Sequence, residues 1–195
     1  MTTEIEIEAL EPRILHAIRV AGWLGSERVR SWLPEAVPDL DGTLAALVGR
    51  ELLRQADTAQ GRLFGATESG ARQADTAIAA GALALPAIAE LTELLREFER
   101  ADPVLKEHVT AFQRARDAAG AGAVVEFHRA QRDLLARIGA SGILWSGYPA
   151  RFGAAAEAIE SGDHDYVASP LIDSYHTVWH LLHRDLRATA AALRG

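Results

Sequence analysis

Three of the seven histidines fall within eight residues, at positions 176, 180 and 183, and an aspartate precedes them at 173, in the stretch DSYHTVWHLLHRDL. Imidazole and carboxylate are the groups of acid–base catalysis and of metal ligation. An aspartate three residues before a histidine on a helix can orient the ring and raise its basicity. If the chain is an enzyme, Asp173, His176 and His183 are its candidate catalytic groups. Placed on a helix at about 100° per residue, Ile172, Tyr175, Trp179, Leu182 and Leu186 form an apolar face. Asp173, His176, His180, His183 and Arg187 then form one polar stripe along its shoulder. Such a stripe is placed to edge a cleft, and aromatic residues would wall it. The expected ligand-binding set is therefore Asp173, Tyr175, His176, Trp179, His180 and His183, with Trp145 and Tyr148 from the preceding segment.

Metal ligation fits the stripe less well. His176 and His183 are about 10 Å apart along a helix axis, whereas zinc holds its nitrogens at about 2 Å. His176 with His180, Asp173 with His176, or His180 with His183 is spaced to chelate, and further ligands would have to come from His108, Glu126, His128 or Asp133. The expectation is no metal and no cofactor, with His176 and His180 as the alternative. A purely structural reading also stands: neutral histidines at a core edge, one of them hydrogen-bonded to Asp173 or Asp185. The chain carries no serine nucleophile elbow, phosphate-binding loop or dinucleotide fingerprint.

Bulk properties narrow the classes further. The chain has 195 residues, nearly half of them apolar, and a formal charge of −7, which suits a folded globular protein. Without cysteine there is no disulfide, thiolate zinc site or thiol nucleophile. The opening MTTEIEIEAL is acidic where a secretory signal would be basic, and no apolar run approaches the ~18 residues of a membrane helix. A cytoplasmic protein without membrane contact is expected.

The positioning elements fall into two parts. In residues 9–75, EPRILHAIRVAG places Ile14, Leu15, Ile18 and Ala21 on one helical face before Gly22. SERVRSWLP reads as a short helix capped by Ser26 and stopped before Pro34, and DLDGTLAALVG as a third helix. LLRQADTAQGRLFGAT then changes period, as two short strands around a turn, and Thr67 is placed to cap the next helix. Three short helices followed by a two-stranded wing is the layout of a winged helix-turn-helix. Residues 76–195 read as all-helical: PAIAELTELLREFERA, then a helix opened by Asp102 and Pro103, then AVVEFHRAQRDLLARI, a glycine-marked loop, ARFGAAAEAIESG, and a last and longest helix opened by Pro170. The fold class is thus mainly α: a winged helix-turn-helix followed by an all-helical dimerisation or ligand-binding domain.

The side chains of the first part are equivocal toward DNA. Its arginines and acidic residues nearly balance, whereas DNA affinity comes largely from cations on phosphates. The candidate DNA contacts are Arg28, Thr43, Arg50, Arg54 and Arg62, the last near the wing tip, and the two aspartates opening the third helix would repel phosphate. A winged helix kept for dimerisation or protein contact is the competing reading.

The phrase GRLFGATESGARQ resembles the second wing strand and following helix start of MarR-like regulators. The segment RFGAAAEAIESGDHDYVASPLIDSYHTVWHLLHRDL resembles the C-terminal part of actinobacterial MarR-like helix-turn-helix proteins through Arg151, Phe152, Gly162, Asp163, the run from Asp173 to Trp179, and Leu182 to Leu186. Arg184 stands where that group carries an acid, and His180 also departs from its pattern. The resemblance implies a two-part, dimeric protein and supplies neither ligand nor reaction. The expected function is a ligand-responsive, homodimeric, DNA-binding transcriptional regulator. The alternative is an enzyme or small-molecule-binding protein on a winged-helix scaffold, using Asp and His chemistry in a C-terminal cleft.

Overall fold

The computed structural model describes residues 4–33, 37–59 and 61–195. In chain order its elements are α1 (Glu4–Ala21), α2 (Ser26–Trp32), α3 (Leu40–Gly49), β1 (Leu53–Thr58), β2 (Gly61–Ala66), α4 (Glu68–Ala79), α5 (Ile88–Ala115), α6 (Ala118–Ser141), a 3₁₀ turn at Ile143–Trp145, α7 (Tyr148–Glu160), α8 (Asp165–Ala168) and α9 (Tyr175–Ala192). The protein is mainly helical with one small antiparallel sheet, as the periodicity predicts. It divides into two compact units, Met1–Leu85 with Ala188–Gly195, and Pro86–Arg187. The division lies ten residues beyond the 75/76 boundary read from sequence, and the return of the last residues to the first unit has no signature in the pattern. Among the described residues no helix is long and apolar enough to cross a membrane.

In the first unit, α1 buries Ile14, Leu15 and Ile18 completely and ends at Gly22, whose φ of +93° only glycine adopts at no cost. Ser26 is not the cap of α2: it is the first helical residue, and extended Gly25 precedes it without a side-chain cap. That helix ends at Trp32; Pro34 lies outside the described residues. Asp39 caps α3, its Oδ1 accepting the Gly42 N–H at 2.9 Å. The hairpin register pairs Leu53 with Ala66 and Asp57 with Arg62. Leu24, between α1 and α2, bridges to Phe64 with reciprocal backbone hydrogen bonds of 3.0 and 2.8 Å, which adds a third short extended segment to the hairpin's edge. Thr67 caps α4 as expected, Oγ1 accepting the Gly70 N–H at 3.0 Å while donating to the Glu51 carbonyl at 2.8 Å. One threonine thus ties the helix start to the chain entering β1.

In the second unit, α5 runs unbroken for 28 residues through Asp102 and Pro103, where the sequence predicts a new helix. Proline removes one intrahelical hydrogen bond. The apolar stripe Leu91, Leu94, Leu95, Phe98, Ala101, Leu105, Val109 and Phe112 nevertheless stays in phase and buried across it, so continuous packing outweighs the local break. Asp117 caps α6 through the Gly120 N–H at 2.8 Å. Pro170 does not open α9, and α9, with 18 residues, is not the longest helix. Pro170 lies in a turn, and Ser174 stands at the helix start, its Oγ accepting the Thr177 N–H at 3.4 Å and donating to the Ser169 carbonyl at 2.8 Å.

Candidate functional site

That later start of α9 decides the geometry of the candidate site. Asp173 lies before the helix, so helical spacing does not carry it toward the histidines. Its Oδ2 instead pairs with Arg151 Nε of α7 at 3.0 Å. Among the described residues no hydrogen bond joins Asp173 to His176, whose Nδ1 is buried without a hydrogen-bond partner.

Of the remaining stripe, His183 and Arg187 meet α5. His183 Nε2 lies 3.0 Å from Glu99 Oε1, and Arg187 Nε donates to the same oxygen at 2.7 Å. Trp179 Nε1 donates to Asp102 Oδ1 at 3.1 Å, and Lys106 pairs with Asp102 at 2.6 Å. His180 is exposed. The hydrogen bond from His183, helped by Arg187, holds the Glu99 carboxyl below its usual range. Trp179 is also stacked on Phe98 at 4.0 Å between centroids, an arrangement worth about 0.5–1.5 kcal/mol beyond burial. Tyr175 and Trp179 therefore form the aromatic core of the unit, with Phe127 and Phe152 against both, and do not wall an open cleft. Tyr175 is fully buried, and burial pushes its phenol well above the ordinary range.

Trp145 and Tyr148 converge on Asp185, a residue the sequence offered only as a structural partner for a histidine. Trp145 Nε1 donates to Asp185 Oδ1 at 2.9 Å and the Tyr148 hydroxyl to Oδ2 at 3.1 Å. All three are buried, and Asp185 is 0% exposed. Burial first, and then the Asp185 charge, raises the Tyr148 phenol well above its usual range. The Arg151 guanidinium sits 5.0 Å from the Tyr148 ring centre and passes the chain on to Asp173. The polar heart of the unit is therefore Trp145–Asp185–Tyr148–Arg151–Asp173. The available signal for Asp185 was its place ten residues after Tyr175 on the buried side of the last helix, where an acid has to find donors.

Among the described residues no group of three or more histidines, aspartates or glutamates is placed to hold a metal ion. His176 and His180 thus have no third protein ligand of those types there.

The histidines give a pH expectation. Burial lowers the pKa of His128, with Arg132 adding to the effect; burial and neighbouring His180 lower that of His176; burial and Arg184 lower that of His180. A lowered value means that the unfolded chain binds more protons as pH falls through about 6.5. Stability contributed by the neutral rings is present above that pH and is lost below it, until the folded-state values are passed. The thermal midpoint should fall between pH 7 and 5.5, and the His128→Gln and His176→Gln variants should flatten that fall. An unchanged slope in both would show that these rings are not held neutral by the fold.

In the first unit, Arg50 pairs with Glu11 at 2.8 Å and Arg62 with Asp57 at 3.1 Å. Arg54 lies over the Trp23 ring at 4.9 Å and makes no ion pair with a described residue. Arg28 is half-buried on α2. Thr43 donates its hydroxyl to the Asp39 carbonyl at 2.9 Å. The exposed positions of α3 are Asp41, Gly42, Ala45, Ala46 and Gly49, so this face presents no side-chain hydrogen-bond donor.

No protein-family model matches the chain, and neither a curated protein nor a solved structure matches it.

Proposed function

We propose that the protein is a DNA-binding transcriptional regulator of MarR-like type, with a winged helix-turn-helix as its first unit and an effector-binding second unit, acting as a homodimer. The observation that carries the reading is the Leu24–Phe64 bridge. Helix, short extended segment, two helices and a hairpin, with that segment hydrogen-bonded to the hairpin edge, is the order of a winged helix. Three short helices beside an unrelated hairpin would not require it. The dimer rests on the resemblance of the C-terminal segment.

The chemistry of the exposed face refines this reading. α3 offers small side chains and an aspartate to the major groove, so it cannot make the bidentate base contacts that each supply about 1–3 kcal/mol of discrimination. Affinity then comes from Arg28, Arg54 and Arg62 on phosphate, and selectivity from DNA shape. Fluorescence anisotropy with a duplex from upstream of the protein's own gene, beside a scrambled duplex of equal length, tests it. The expected result is binding of both at low salt, with a preference of no more than about a hundredfold for the first, below the usual specificity ratios. Absence of binding to either duplex at low salt would overturn the proposal.

A further inference from the structure

A groove of about 510 Å³ runs between α6 and α7, within the ~300–1,000 Å³ common for small-molecule sites. We propose that it binds a small zwitterion with an apolar body, the class of free apolar α-amino acids: Arg132 takes the carboxylate, Glu157 the ammonium, and Leu135 and Pro149 the side chain.

The two helices are antiparallel. Arg129 of α6 forms an ion pair with Glu160 of α7, and Gly139 of α6 lies so close to Pro149 that a Cβ there would meet its ring at 2.5 Å. Three residues on from Arg129 and three back from Glu160, Arg132 and Glu157 line opposite walls at one level of the groove. Both are exposed, and neither forms an ion pair with a described residue, whereas neighbouring Arg129 is bound by both Glu126 and Glu160. A simple anion attracted by Arg132 would meet Glu157, and a simple cation attracted by Glu157 would meet Arg132. A zwitterion satisfies both. Leu135, Ala136, Pro149, Gly153 and Ala156 give the apolar part of the lining beside Arg132 and Glu157. His128 also lines the groove; burial and Arg132 keep its ring neutral, so it adds no charge between the two walls. Gly153 also lines the groove, and a Cβ built there meets nothing within 4 Å: the space is open at that point.

The site supplies an effector class to the regulator proposed above and rests on that reading for its biological consequence. Its test contains no DNA, so either proposal can fail while the other stands. Isothermal titration calorimetry of the full chain would compare L-leucine and L-phenylalanine with 4-methylpentanoate and 3-methylbutylamine, which are leucine without its amino group and without its carboxylate. At least one amino acid should bind, with both truncated analogues weaker than leucine or silent. Charged hydrogen bonds of this kind make the expected loss about tenfold or more, and Arg132→Ala and Glu157→Ala should each cost as much. Gly153→Leu should abolish binding while leaving the thermal midpoint at or above that of the parent, because it fills open space on a helix. Failure of both amino acids to bind at about 10 mM, the weak end of any useful affinity, would overturn the proposal. So would analogues that match leucine, or binding that survives Gly153→Leu.

Discussion

Asp185→Ala is expected to destabilise the helical unit by about 3 kcal/mol or more, the scale of removing one partner from a buried charged cluster. The substitution leaves Trp145 Nε1 and the Tyr148 hydroxyl, both donors to Asp185 in a site closed to solvent, without their acceptors. Each orphaned donor costs about 1–3 kcal/mol, and the missing carboxylate leaves a void besides. At about 2–4 °C per kcal/mol for a chain of this length, the thermal midpoint should drop by roughly 6–12 °C. Asp185→Asn keeps the shape and one acceptor and should lose about half as much. Indole emission reports the change directly, since Trp145 is fully buried against the substituted side chain. A midpoint within a degree of the parent for Asp185→Ala would remove this cluster from the account of stability.

Gly70→Ala should be comparably damaging in the first unit, for a steric reason. A Cβ at Gly70 would lie 2.1 Å from the Leu52 carbonyl oxygen and 3.0 Å from its carbon. That carbonyl is also held by the Thr67 N–H and hydroxyl, both at 3.1 Å, so it cannot move aside without releasing the cap of α4. Overpacking against movable side chains costs about 1–3 kcal/mol; against a fixed backbone oxygen the upper end is expected. Hydrogen exchange should show amides of the Leu53–Ala66 hairpin losing protection first. Gly49→Ala is the control: a Cβ there meets nothing within 4 Å, and alanine is the better helix former by up to about 1 kcal/mol. Equal stability of Gly70→Ala and the parent would contradict the close approach of α4 to the chain entering β1.

These two residues mark what the sequence made legible and what it did not. The phrase GRLFGATESGARQ announced the strand, the threonine cap and the helix because each is a local event with its own residue chemistry. The tight contact at Gly70 belongs to that phrase, and only the neighbouring carbonyl explains why glycine stands there. Periodicity found the helices and their buried faces. It overcounted at Pro103, where a stripe staying in phase for 28 residues outweighed one lost hydrogen bond, and it began the last helix too early at Pro170. That second error moved Asp173. A wheel drawn through residue 173 sets Asp173 beside His176, but a helix beginning at Tyr175 leaves Asp173 free to reach Arg151. The acids that meet the last helix, Glu99 at His183 and Asp102 at Trp179, lie 84 and 77 residues earlier on α5, which no local pattern reveals. Asp185 was hidden for the same reason, since its donors arrive from the 3₁₀ turn and the start of α7. The α6–α7 groove left no motif at all. It exists because Gly153, Ala156 and Ala136 are small, and alanine-rich helices look alike whether or not space remains beside them.

The proposed grip of the first unit on duplex DNA runs through arginines on α2 and the hairpin. It is read out by the slope of log affinity against log salt for the parent, Arg54→Ala, Arg62→Ala and, in the helical unit, Arg96→Ala. Each phosphate contact contributes about −0.9 to the slope. The account expects a parent slope of roughly −2 to −4, a slope shallower by about 1 in each hairpin variant, and no change in Arg96→Ala. A flat salt dependence in the parent, or the same slope in all four proteins, would contradict it.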